Sequence, residues 1–502
     1  MIPSFIEVFN HQTTLSSVPP GVQQSIYDAT SFLADPTNTD GGGWKPPESF
    51  GDEKAWDGRV RLSKWQQNGS GSVPTGLIDL VETCFRQLGH PYQLVDRRVR
   101  PAPGFPDFGP IPLRDYQQEA VEAAVQAGHG VLDIPTRGGK TRLAIELTRR
   151  LWLPTLWIAP TTNIVTQTLK AFDELCDPNF AVPLKGSKDW QSASEKNVVV
   201  CTNASAANLP QEFFDTRQVL IGDEFHHHAA QTGNTIANKC HHIFHRYGLT
   251  GTFFRSGRDE MALHAILSKT IYKIGTPLLL ERGYLTATKV AFLPIEHPHL
   301  PRGSTWDQVA KKGIRLNAYR NEVIAWAATL LRNLNKKTLI LVATKEQGYA
   351  IRDLLKGQFG QAPKGKEHVA FVSTDVPANI CQEHIHAFLH TKHPSVLIGT
   401  SMVGEGTDLP SCDALIYAQG GKAEVSHRQA MARVATAQEG KTHAIVLDFA
   451  DRGHHMVLKH SVERGENYAA EPTVELHALQ TIEELPSWLA WIESRGLAVL
   501  HK

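Results

Sequence analysis

The stretch Val131-Leu132-Asp133-Ile134-Pro135-Thr136-Arg137-Gly138-Gly139-Lys140-Thr141 passes from an apolar, strand-forming segment through a glycine turn into a helical pattern over residues 142–151. A glycine-rich turn lets backbone N–H groups close around a phosphate, and the helix N-terminus behind it adds a partial positive charge. Lys140 then reaches the β- and γ-phosphates of a nucleoside triphosphate, and the Thr141 hydroxyl is placed to ligate magnesium. Thr136, Arg137, Gly138 and Gly139 complete the cofactor-binding loop. The string departs from the strict G-x-x-x-x-G-K-[ST] form at its first glycine, which is Ile134 here. Arg137 also stands where a glycine usually sits; the glycines beside it leave little room, which favours a solvated side chain over a phosphate contact.

Working outward, short apolar runs recur at residues 156–159, 198–201, 219–222 and 248–250, with helical stretches between them. A second series lies at 338–342, 368–372, 396–399, 414–417 and 444–447. Nearly continuous apolar runs suit strands covered on both faces, as in parallel α/β sheets, so the chain reads as two α/β domains in tandem. The run 219–222 ends in Asp223-Glu224. A carboxylate at such a strand end holds magnesium in P-loop enzymes and its neighbour polarises the attacking water, which makes Asp223 the metal residue and Glu224 the general base. Residues 101–112 (PAPGFPDFGPIP) carry five prolines and mark the first boundary. The expected division is a small α+β module over 1–110, α/β domains over 111–290 and 291–470, and an ordered appendix over 471–502.

The chain's 502 residues give ample mass for several cores. Its 51 lysines and arginines balance 51 aspartates and glutamates, so a nucleic-acid partner has to be met by a local basic surface. Residues 54–100 supply one, with eight basic residues against four acidic. Arg59, Arg61 and Lys64 are the candidate phosphate contacts there, whereas Trp56 and Trp65 read as core. Six scattered cysteines without a C-x-x-C pair indicate neither a disulfide framework nor a cysteine zinc site. His226-His227-His228 and His241-His242 lack the i, i+4 spacing with an acidic partner of hydrolytic zinc sites. No signal peptide or bilayer-length apolar run is present, which predicts a soluble, cytoplasmic protein without a membrane partner, in a bacterial or phage-infected cell.

Asp223-Glu224-Phe225-His226 resembles the D-E-x-H box of superfamily 2 helicases, and further motifs of that family follow in order over about residues 111–450. The resemblance implies two RecA-like domains, ATP and Mg2+ as cofactors, and nucleic-acid-stimulated ATP hydrolysis. Arg114-Asp115-Tyr116-Gln117 is similar to the adenine-recognising segment, with Gln117 the base reader. Pro160, Thr161 and Thr202 fall where strand-contacting residues lie. Thr250-Gly251-Thr252 resembles the motif linking hydrolysis to strand movement, and His226 is implied to relay between nucleotide and interdomain cleft. Residues 400–410 (TSMVGEGTDLP) resemble the motif in which Thr400 and Glu405 would contact nucleic acid and Gly406 and Asp408 the nucleotide. Gln429 and Arg433 resemble the final motif, which reaches the γ-phosphate across the cleft. That motif usually runs Q-x-x-G-R-x-x-R; here Ala432 replaces its glycine and Thr436 its closing arginine, leaving Arg433 as the expected finger, or Arg428 or Lys441 as helpers.

The segment Trp56-Asp57-Gly58-Arg59-Val60-Arg61-Leu62, with Gly76-Leu77 ahead of a helix, resembles the N-terminal module of the phage UvsW and XPB-like branch. It implies a DNA helicase or translocase that remodels forks, D-loops and R-loops in recombination, replication or repair, with RNA met in RNA–DNA hybrids. Two alternatives stand beside it: an RNA helicase, and a nucleotide-switched DNA-binding or annealing protein with weak ATPase.

Overall fold

The computed structural model describes residues 3–33, 58–106, 108–177, 179–184, 186, 189–224, 231–251, 257–296, 300–359, 369–391, 393–400, 412–421, 430–431, 433–438 and 440–500. It divides into two compact units, residues 1–274 and 275–502. Among the described residues no helix is long and apolar enough to cross a membrane.

The first unit opens on a small mixed sheet. Strands β1 (Ser4–Val8), β2 (Gln12–Ser16), β3 (Ser31–Leu33), β4 (Arg59–Arg61), β5 (Lys64–Trp65), β6 (Gly71–Pro74) and β7 (Tyr92–Asp96) form a sheet ordered β5-β6-β2-β1-β7 and a separate ribbon β3-β4. Ile6, Val8, Leu15 and Val73 bury one face of the sheet against Val22, Ile26, Val81 and Phe85 of two helices, Pro20–Ala29 and Ile78–Gln87. Trp65 belongs to this core: its ring lies over Gly71, where any Cβ would come within 2.4 Å of it. Trp56 lies outside the described residues.

This module is built onto the next domain. Ala265, on the helix Gly257–Leu267, enters the module's core, and Gly76 abuts that helix so closely that a Cβ would sit 1.8 Å from the His264 carbonyl oxygen. Lys269 and Asp79 add an exposed ion pair at 2.8 Å.

The second sheet of this unit is all parallel. Its strands are β8 (His129–Asp133), β9 (Thr155–Ala159), β10 (Ala181–Pro183), β11 (Val198–Thr202), β12 (Val219–Asp223), β13 (His245–Thr250) and β14 (Thr270–Lys273), ordered β10-β11-β9-β12-β13-β8-β14. Helices cover both faces, which is why β9 and β12 are buried at every position. Each fully buried Leu, Ile or Val contributes roughly 1.5–3 kcal/mol.

The second unit repeats the plan with β15 (Thr288–Ile295), β16 (Thr338–Leu341), β17 (Val369–Val372), β18 (Val396–Gly399), β19 (Ala414–Tyr417), β20 (Ala444–Asp451) and β21 (Val474–Ala478), ordered β17-β18-β16-β19-β20-β15-β21 and all parallel. The tail set apart as an appendix is woven into this sheet. Residues 474–478 form its edge strand, and Leu485, Trp488, Leu489 and Ile492 of the last helix join the core of Ile340, Ile398 and Leu447.

Candidate active site

The glycine turn lies between the end of β8 and the helix Lys140–Leu151, at the carboxyl edge of the first unit's parallel sheet. Its shape needs left-handed backbone. Gly139 (φ 71°) sits against the Gln117 amide, where a Cβ would be 2.3 Å from Nε2. Arg137 adopts φ 74°, the reason a glycine suits this position, and its side chain is half-buried rather than fully solvated. Gln117 is buried and clamps the loop: its Nε2 donates to the Gly138 carbonyl at 2.9 Å while its Oε1 accepts from the Arg114 N–H at 2.9 Å. The Tyr116 hydroxyl donates to the same Gly138 carbonyl at 2.8 Å and receives Arg114 Nη1 at 3.1 Å. The amide expected to read adenine is thus held on the phosphate loop itself. Tyr116 is a contributor the sequence reading passed over, although it lies inside the quoted segment.

Three carboxylates converge around Lys140. The ammonium, in a side chain only 9% exposed, pairs with Glu224 Oε1 at 3.0 Å. Glu224 has φ 45°, an unfavourable conformation for a residue with a Cβ that costs about 1–2 kcal/mol and turns the chain at the end of β12. Asp223 is buried beside it. Burial and the neighbouring Glu224 charge raise its pKa well above the usual carboxylate range, and Lys140 offsets only part of this. Asp133, at the end of β8, is raised by burial and pulled back by Lys273, which it meets at 3.2 Å. A charged residue inside the apolar run 131–134 was the sequence signal for Asp133. Gly251 closes the site from β13: a Cβ there would meet Lys140 Nζ at 2.6 Å and the Thr136 N–H nitrogen at 2.7 Å. Thr250, just before it, is buried and aligned with Asp133. His226 and Thr252 lie outside the described residues.

In the second unit Arg433 is buried, 6% exposed. Thr436, at the closing-arginine position, forms a β-bridge with Leu285, and its buried hydroxyl has no hydrogen-bond partner among the described residues. The Lys441 ammonium donates to the Cys412 carbonyl at 2.6 Å and to that of Val434. Gln429, Arg428, Ala432, Glu405, Gly406 and Asp408 lie outside the described residues.

Residues 110–255, which hold the loop and Asp223-Glu224, match the family described as type III restriction enzyme, res subunit. Residues 322–438, which hold Arg433, match the helicase conserved C-terminal domain. The chain is a superfamily 2 helicase. It is 24% identical over 461 residues to the ATP-dependent DNA helicase UvsW of Enterobacteria phage T4, covering 83% of this chain and 89% of that protein. To the DNA 3'-5' translocase XPB2 of Sulfurisphaera tokodaii it is 32% identical over 152 residues, 30% of this chain and a third (33%) of the relative. The structure of S. cerevisiae Dbp5 bound to RNA and ADP BeF3 superposes with a TM-score of 0.51 at 13% identity, over 78% of this chain and 94% of that one. The two parallel sheets are therefore tandem RecA-like domains of an ATP-hydrolysing helicase related to the UvsW and XPB-like branch.

Within this helicase the nucleic-acid candidates of the first parallel sheet share an edge. Pro160 and Thr161 follow β9 and Thr202 ends β11, and these strands are neighbours with Thr202 opposite Ala159. Both hydroxyls cap helices: Thr161 Oγ1 accepts from the Ile164 N–H at 3.4 Å, and Thr202 Oγ1 from that of Ser205 at 3.2 Å. Each threonine thus takes one of the N–H groups that a helix start leaves without an intrahelical partner. Thr400 follows β18 and is half-buried. The N-terminal basic residues are dispersed. Arg59 Nε donates to Ser31 Oγ at 3.0 Å, Arg61 lies 4.6 Å over the Tyr27 ring, and Lys64 is exposed on the edge strand β5.

Proposed function

We propose that this helicase couples ATP hydrolysis on its first RecA-like domain to movement along, or remodelling of, duplex or branched DNA. One observation carries the chemical part: Lys140 and Glu224 are paired at 3.0 Å beside a buried Asp223. A γ-phosphate entering the loop competes for Lys140, and Glu224, released from the ammonium, becomes free to accept a proton from the attacking water. Magnesium suits this donor set, because Asp223 is a buried carboxylate whose like-charged neighbour raises its pKa more than Lys140 lowers it. Asp223 and Thr141 would hold it; when bound it supplies charge neutralisation of the β- and γ-phosphate oxygens.

Arg433 is the proposed arginine finger from the second domain, with Gln429 beside it in the motif; such a finger is worth ~10³-fold or more in phosphoryl transfer. Gly406 and Asp408 are proposed nucleotide contacts, and Thr400, Glu405, Pro160, Thr161 and Thr202 the strand contacts. His226, Thr250, Gly251 and Thr252 are the proposed coupling residues. The N-terminal module, with Arg59, Arg61 and Lys64, is proposed to engage duplex or branched DNA. The overall match to a DNA helicase over 89% of its length supports DNA over RNA as the track.

Steady-state ATPase measured with no nucleic acid and with single-stranded, duplex, forked and RNA–DNA hybrid substrates tests this reading. Strong stimulation by duplex or forked DNA that disappears in Lys140→Ala is expected. DNA binding without any stimulation would replace the motor with a nucleotide-switched binding protein.

A further inference from the structure

Between β15 and the helix Ala318–Asn333 the second domain carries a short helix, Trp306–Val309, that widens without a break into a π-helix, Ala310–Arg315. The wider turn is closed by the Leu316 N–H, which donates to the Lys311 carbonyl at 2.8 Å. π-Helices are rare and cluster at functional sites. One side of this segment is firmly anchored. Val309 and Ile314 bury with Leu300 and Val457, and the Trp306 ring meets that of His460 edge to face at 4.3 Å. Ile314 also fills the space beside Gly420, which adopts φ 63° and where a Cβ would come within 2.7 Å of the isoleucine side chain.

That contact fixes where in the domain the segment stands. Gly420 belongs to the loop leaving β19, and Tyr417 at the end of β19 and Gly399 at the end of β18 both lie opposite Leu341 of β16. The segment is therefore seated at the carboxyl edge of the sheet. Thr400 leaves the same edge two strands away, about 10 Å at the spacing of neighbouring strands.

The other side of the segment is open. Lys311 and Lys312 are exposed, and neither has a carboxylate partner among the described residues. The carboxylates of this stretch are Asp307, which Arg315 occupies at 2.9 Å, and Glu322 in the next helix. Just past the lysines, Leu316 and Tyr319 are 50% and 48% exposed. Adjacent ammonium groups beside an uncovered aromatic ring suit a nucleic-acid strand, whose phosphates neutralise the lysines while a base covers the ring. An apolar protein face would cover the ring but bury both charges without partners.

We propose that this segment is a strand-contact surface of the second domain, with Lys311 and Lys312 on backbone phosphates and Tyr319, flanked by Leu316, stacked on an unpaired base. This surface presupposes the DNA motor proposed above and extends its grip beyond Thr400.

The test is binding of a fluorescent single-stranded DNA to the full chain over a series of salt concentrations, comparing the unaltered protein with Lys311→Ala/Lys312→Ala, Tyr319→Ala and Tyr319→Phe. The double lysine variant should make the fall of log affinity with log salt shallower by about 1.4, at about 0.7 for each single-strand phosphate. Tyr319→Ala should weaken binding roughly 5- to 150-fold, the range for one stacked base, while Tyr319→Phe keeps it. ATP turnover without nucleic acid and the melting temperature should stay unchanged in all three variants, because the altered side chains are exposed. If the unaltered protein binds DNA, a salt slope unchanged in the lysine variant, an affinity unchanged in Tyr319→Ala, or an equal loss in Tyr319→Phe would overturn this surface and leave the motor standing. An unaltered protein that binds no DNA would overturn both.

Discussion

Each RecA-like domain buries charge near the carboxyl edge of its sheet, and the two do so in opposite ways. In the first, Glu224 pairs with the Lys140 ammonium beside Asp223, and Glu224 sits in left-handed backbone. In the second, two carboxylates meet two guanidiniums: Arg320 pairs with Asp451 at 2.9 Å and Arg464 with Asp448 at 3.0 Å, all at 1% exposure or less. Tyr468 adds a hydroxyl to Asp448 at 3.0 Å, and the spare guanidinium N–H groups reach the carbonyls of Ala418 and Gly421 at 2.8 and 2.6 Å. Burial tends to lower the Arg464 pKa, but Asp448 and Asp451 more than offset that and raise it. At the first edge the carboxylates of Asp223, Glu224 and Asp133 gather round Lys140, the place proposed above for nucleotide and magnesium. The other edge is complete without a ligand and holds the loop that follows β19.

This contrast can be broken most severely at Lys140. Lys140→Ala should lower DNA-stimulated ATP turnover by roughly 10²–10³-fold, the size expected for one electrostatic donor to a developing charge, while the unfolding of either domain changes little. Steady-state turnover and a denaturant melt read both sides.

At the opposite edge the effect should be on stability. Arg320→Met removes the nearer guanidinium from Asp451, leaving Arg464 at 3.7 Å, and should cost the second domain up to about 3–5 kcal/mol, whereas Arg320→Met with Asp451→Leu should restore most of it. Equal losses in single and double variants, measured by urea unfolding, would show that the pair is not what holds this edge.

Gly251→Ala probes the first edge by geometry alone. Its new Cβ would crowd Lys140 Nζ and the Thr136 amide. Turnover should drop up to about 10²-fold, the penalty of an ångström-scale misplacement, with the melting temperature nearly unchanged. The smallest effect is expected for Tyr468→Phe, which removes one hydrogen bond to a charged acceptor. It should cost about 1.5–3 kcal/mol in the second domain's unfolding and leave kcat within error.

The two edges also differ in how far they could be read in advance. The lysine loop and Asp223-Glu224 are legible because each is a contiguous string at a strand end, where local chemistry and local structure coincide. The parallel strands were visible as apolar runs for the same reason. The network of Arg320, Asp448, Asp451 and Arg464 gave no such signal, since its partners lie on two helices and a strand separated by long stretches of chain. Strand β21 was missed because a short edge strand, half-exposed along most of its length, shows neither a buried run nor a clean alternation. The loop-clamping role of Gln117 was hidden too: the residue type fits base recognition equally well, and only the fold brings its amide onto Gly138.

The central claim is that Glu224 occupies Lys140 until phosphate displaces it. Its most direct test is the ATP dissociation constant of Glu224→Gln, measured by titration calorimetry beside the unaltered protein. The account predicts tighter ATP binding in Glu224→Gln, because the neutral amide no longer competes for the ammonium, together with turnover reduced by roughly 10²–10⁴-fold. Weaker or unchanged binding with turnover preserved would contradict it.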